Sequence, residues 1–106
     1  MKITHLIYSL CSGGAERFVV SLANQQAAMG HDVSVCILLS DTDENYTFNL
    51  QFLDSVVGFH SFGFTKGFSI RKSNIVENYL DNLNPDVVHC HLNVIPYIYR
   101  LAFRRR

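Results

Sequence analysis

The chain has 106 residues, 48% of them hydrophobic, with nine basic and nine acidic side chains that cancel at pH 7. That length bounds it to one domain, and the apolar content suffices for a core and excludes a disordered chain. The charge balance argues against a general nucleic-acid surface, and no apolar run approaches the roughly 20 residues of a membrane span.

Ile3 to Ser9 is apolar and β-branched, as expected of a buried strand, and carries no signal-peptide cleavage pattern. Ala15 to Met29 follows with Ala15, Phe18, Val19, Leu22, Ala23 and Ala27 at helical spacing, and Gly30 is placed to stop that helix. Val33–Leu39 predicts a second strand. Ser40–Gln51 is polar and predicts a surface loop, with a short helical turn at Phe52-Leu53. Val56–Phe62 is a weaker third strand, and 63–67 a loop. Ile70–Leu83 is a helix with Val76, Tyr79, Leu80 and Leu83 on one face, ended by Asn84-Pro85. Asp86–His91 is a fourth strand, and Pro96 suits the first turn of a helix running into the arginine-rich tail. Strands and helices in this order, on short connections, predict an α/β fold: a Rossmann-like, open, mostly parallel sheet with helices on both faces. Cys11, Cys36 and Cys90 are odd in number and lack a CxxC pair, which fits reduced thiols in a cytoplasmic protein.

Ser12-Gly13-Gly14-Ala15-Glu16-Arg17 stands between the first strand and the first helix. Glycines there let a ligand approach the backbone, and the first-turn N–H groups of the helix point at whatever lies above the turn. Such a corner is expected of an α/β nucleotide- or phosphate-handling domain. The alternative is that the glycines only permit a tight turn. A nicotinamide or flavin site would want three spaced glycines and an acid at the end of the second strand. Here the glycines are adjacent, and Asp41 comes late, in the loop.

Ser9-Leu10-x-Ser12-Gly13-Gly14-Ala15-Glu16-Arg17, with Leu22-Ala23-Asn24 and Gly30-His31-Asp32-Val33, resembles the start of GT-B-fold, family-4-type glycosyltransferases. Pro85-Asp86-Val87-Val88-His89-Cys90-His91 is similar to the strand of that family that ends in a His-x-His pair. The resemblance implies transfer of a hexose from a nucleotide diphosphate sugar to an acceptor hydroxyl with retention, in polysaccharide or glycolipid synthesis. Such enzymes have two Rossmann-like domains. Residues 1–106 are expected to be a truncated N-terminal, acceptor-side domain, without the C-terminal nucleotide-sugar domain and inactive alone. A non-catalytic subunit of a split glycosyltransferase is the competing expectation.

By this resemblance, Gly13 and Gly14 contact the leaving diphosphate, whose developing charge fixed N–H donors stabilise. Arg17, one turn into the helix, is a candidate to grip a phosphate or carboxylate; a solvated helix arginine is the alternative. His89 and His91 lie two apart on a strand and point to one side. The resemblance gives His91 contact with the transferred sugar, as a hydrogen-bonding catalytic residue and not a general base; His89 reads instead as a core histidine satisfied by backbone. Lys66 is a candidate for an anionic acceptor group, or a solvated loop lysine. Tyr8, Ser9 and Asn93 are candidates by location. Of His89, Cys90 and His91 only the two histidines can converge on one face, short of the four ligands of a structural zinc site, so no metal and no cofactor are expected. The partners implied are a nucleotide diphosphate sugar and a saccharide or lipid-linked acceptor. The aromatic and basic tail, with Arg100 and Arg104 to Arg106, either touches an anionic membrane face peripherally or packs on the sheet, and uncovered apolar surface predicts self-association.

Overall fold

The computed structural model describes residues 1–91 and 94–98. Its elements are β1 (Lys2–Ile7), α1 (Gly14–Ala28), β2 (Asp32–Leu39), a 3-10 segment (Glu44–Phe52), β3 (Gly58–Phe64), α2 (Ile70–Leu83), β4 (Val87–Cys90) and a 3-10 turn (Ile95–Tyr97). The four strands form one sheet in the order β3-β2-β1-β4, and every neighbouring pair is parallel. The α/β class and the open parallel sheet are therefore as the element order predicts.

The strand order explains the two covered faces. The chain steps from β1 to β2 in one direction and returns from β3 to β4 in the other. Right-handed crossovers then put α1 and α2 on opposite faces. Under α1, Ile3, Ile7, Val33, Val35 and Ile37 pack against Val19, Val20 and Ala23. Under α2, Leu6, Cys36 and Leu38 pack against Val76, Leu80 and Tyr97. Covered on both sides, β1 and β2 read as near-continuous apolar runs.

Boundaries move where turn chemistry intervenes. β1 ends at Ile7, two residues before the expected Ser9, because the Tyr8 carbonyl takes the N–H groups of both Leu38 and Leu39 and the chain leaves the ladder. Gly30 stops α1 as expected: its φ is 95°, and the N–H groups of Gly30 and His31 close on Ala27 and Gln26. α2 has its predicted bounds, with Ser69 Oγ accepting from Lys72 N–H at its start and Asn84 in the left-handed region at its end. β3 lies two residues later than predicted, and its register against β2 shifts between Ile37 and Leu39.

The expected surface loop over Ser40–Gln51 is corrected. Glu44–Phe52 forms 3-10 turns kinked at Thr47, opened by Asp43, whose side chain accepts from Asn45 N–H. Asn49 in this segment is buried. Pro96 falls in the 3-10 turn Ile95–Tyr97. The rest of the expected C-terminal helix, with Arg100, Arg104, Arg105 and Arg106, lies outside the described residues, as does Asn93. Among the described residues no helix is long and apolar enough to cross a membrane. Cys11, Cys36 and Cys90 are free thiols.

Candidate functional site

In a parallel sheet all strands end on one edge. Here that edge carries the glycine pair after β1, Lys66 after β3 and His91 after β4. The crossovers leave β1 in opposite directions, so the topological switch point lies between β1 and β4. Ligands of open α/β sheets bind in the crevice outside the strand ends at such a point. The glycine corner and His91 flank it from either side.

The corner itself is open on one glycine and covered on the other. Gly13 precedes α1 with extended backbone (φ −169°), and no side chain caps the helix N-terminus. Neither Gly13 nor Gly14 has a positive φ, so the turn geometry does not require glycine at either position. A Cβ on Gly14 would meet nothing within 4 Å, whereas one on Gly13 would come within 2.6 Å of a Glu16 carboxylate oxygen. Glu16 thus places its own negative charge over Gly13 at the positive end of the helix. Gly14 presents bare backbone.

The loop leading to the corner is clamped by the segment that reads as a loop in the sequence. Leu10 N–H donates to the Tyr46 carbonyl, and Asn49 N–H donates to that of Leu10. Asn49 Nδ2 donates to the Cys11 carbonyl at 2.6 Å. Ser9 is buried, its hydroxyl 2.9 Å from Cys11 Sγ. Tyr8 is half-buried, packed on the α2 side. Asn49 thereby fixes the backbone that presents Gly13 and Gly14, a role its polar surroundings in the sequence did not signal.

The histidines differ most from expectation. His89 and His91 do project to one side, with stacked rings 4.0 Å apart. A third ring joins them: His5 of β1 sits in register opposite His89, its centroid 5.3 Å from His89 and 5.2 Å from His91. His89 is exposed, not the core histidine expected, and β4 is the outer strand of the described sheet. His5 is the buried one. Its Nε2 lies 2.6 Å from Gln26 Oε1, which can only accept, so Nε2 carries the proton. In the neutral ring Nδ1 is then bare and accepts from His91 Nε2 at 3.0 Å. Burial, then the neighbouring His89 and His5, push His91 down to about 4. Burial likewise holds His5 below its ordinary value, against the Gln26 hydrogen bond. At neutral pH both are uncharged hydrogen-bonding groups. The expectation that only two histidines could converge is corrected, since His5 arrives from the neighbouring strand.

Arg17 is exposed and lays its guanidinium over the Phe52 ring, 3.7 Å from the centroid. It is held by cation–π contact with the 3-10 segment. Lys66 is exposed in a loop whose carbonyls at Thr65 and Gly67 accept from Lys72 Nζ. It stands on the strand-end edge but beyond β2 from the switch point.

The fold and this corner define a class: a Rossmann-like domain whose parallel sheet has a topological switch point between β1 and β4. Within that class, the model of the family described as Glycosyltransferase Family 4 matches residues 12–106, so the chain belongs to that family. No curated protein matches it.

Proposed function

We propose that the chain is the N-terminal, acceptor-side part of a glycosyltransferase that moves a hexose from a nucleotide diphosphate sugar to an acceptor hydroxyl with retention. In this reading a second domain holds most of the nucleotide sugar, and this chain closes over it. The observation that carries the reading is Gly14: glycine where no backbone angle demands it, beneath open space at an uncapped helix N-terminus. A phosphate can approach there as it could not past a side chain. The leaving diphosphate gains charge as the sugar departs, and first-turn N–H groups already aimed at it need no rearrangement.

His91 stands on the other side of the switch point and hydrogen-bonds a hydroxyl of the transferred sugar. Its neutral ring donates or accepts and does not serve as a proton reservoir. Arg17 lies one turn from the glycines and reaches phosphate by leaving the Phe52 ring. Lys66 serves an anionic acceptor further along the edge. A saccharide or lipid-linked acceptor at the cytoplasmic face of a membrane, with the basic tail in peripheral contact, completes the proposal.

A screen of nucleotide sugars with the complete enzyme tests it, alongside Gly14→Asp and His91→Ala. Transfer is expected to fall by about a hundredfold or more in Gly14→Asp, where a carboxylate meets the phosphates. His91→Ala is expected to lose about tenfold or more. Unchanged turnover in both would overturn the site.

A further inference from the structure

We propose that His5, His89 and His91 form a three-imidazole site for a divalent transition metal ion of the zinc class. The inference does not rest on the sugar-transfer reading, since its ligands are side chains that the sheet itself brings together, but the two share His91, and an ion bound at its Nε2 leaves only the Nδ1–H for a sugar hydroxyl.

The register makes the triangle. His5 and His89 are cross-strand partners on β1 and β4, and His91 is two residues beyond His89 on the same face. One ring nitrogen from each lies within 4.8 Å of the other two. The His5–His91 edge of the triangle is 3.0 Å. Ligand nitrogens about 2.0–2.1 Å from a tetrahedral zinc ion lie about 3.3 Å from one another. One edge therefore already has ligand spacing. The others, within 4.8 Å, close by rotation of the exposed His89 ring, which exchanges its stacking on His91 for a bond to the ion.

The outer contacts have the form that metal-binding histidines use. A ligating imidazole usually donates its second N–H to a carbonyl or carboxylate, which fixes the tautomer and raises the basicity of the ligating nitrogen. His5 does so to Gln26 Oε1 at 2.6 Å, which leaves its Nδ1 bare and facing His91. Binding requires His91 to move its ring proton from Nε2 to Nδ1, so that Nε2 can ligate. All three ligands are then neutral imidazoles, which suit zinc, copper and nickel better than magnesium or calcium. Three protein ligands leave a fourth position for water, as in zinc sites that are open and not structural. Cys90 lies between the two histidines in sequence but on the opposite face of the strand, packed on the α2 side, so its thiol is excluded from the set.

Cobalt(II) as a spectroscopic probe, with zinc competition and calorimetry on the untagged chain, tests the proposal. One tetrahedral cobalt per chain is expected, displaced by zinc and without a thiolate charge-transfer band. His89→Ala should weaken zinc binding by at least about tenfold, and Gln26→Leu by about tenfold through the outer contact. His89 is exposed, so the fold survives its removal, which thermal unfolding of the variant checks. The amino terminus and His31 Nδ1, 3.3 Å apart, are a rival pair of ligands, and His31→Ala is expected to bind as the parent does. Equal affinity in His89→Ala and the parent, loss of binding in His31→Ala, a thiolate band, or no one-to-one binding would each overturn the site.

Discussion

At the scale of single residues, Gly14 separates ligand approach from turn geometry. Its backbone suits any L residue, and a methyl group there meets nothing. Gly14→Ala should therefore leave the fold intact and add about 0.5 kcal/mol of stability by restricting the unfolded chain, read as a raised urea midpoint. Transfer by the complete enzyme should fall at the same time. A tight-turn role alone predicts neither change. His60 offers a test by pH. It stacks on Tyr79 with ring centroids 4.1 Å apart, and burial lowers its pKa while the Asp41 carboxylate opposes the shift. The folded chain then binds fewer protons than the unfolded one once pH drops below about 6.5. Stability must fall with pH through that window and level off below the folded value. The loss of urea midpoint between about pH 7.5 and about 5.5, measured with chelator present, should be smaller in His60→Phe than in the parent. An identical loss would show that His60 does not titrate against the fold.

At the scale of elements, the caps and the clamp decide local stability. Ser69 Oγ satisfies Lys72 N–H in the first turn of α2, so Ser69→Ala should cost about 1 kcal/mol in chemical unfolding. Asn49 belongs to a different kind of element, a 3-10 segment whose value lies in what it holds. Its side chain binds the Cys11 carbonyl and its main chain binds Leu10. Asn49→Ala strands that carbonyl and should cost about 1–3 kcal/mol. Because the same backbone presents Gly13 and Gly14, the variant should also raise KM for the donor more than the cap variant does. Helix α2 was legible to the residue, since apolar spacing and the Asn-Pro after it act within a few positions, although the Ser69 cap emerged only in the structure. The 3-10 segment was not, because Ser40–Gln51 is polar and its one buried side chain, Asn49, is polar as well.

At the scale of the molecule, two apolar layers hold one sheet between them. Leu80 is wholly buried in the α2 layer with Leu6, Leu38 and Val76. Leu80→Ala should destabilise the chain by about 2–5 kcal/mol in urea unfolding, the range set by how far the layer collapses on the cavity. The fold class followed from the element order, because parallel strands joined by short helical crossovers admit few arrangements. The glycine corner was equally readable, as a local turn between a strand and a helix.

The sequence by itself determined which segments become the four strands and the two α-helices, where α1 and α2 stop, and that two glycines stand at the start of α1. These depend on backbone preferences and spacings within a turn or two. Only the tertiary structure decided that β1 lies between β2 and β4, which creates the switch point. It alone decided that His5 meets His91 across 86 positions of chain, and that His89 is left in the open. Such meetings depend on the pairing and register of whole strands, and strand order is fixed by how two helices cover opposite faces of one sheet.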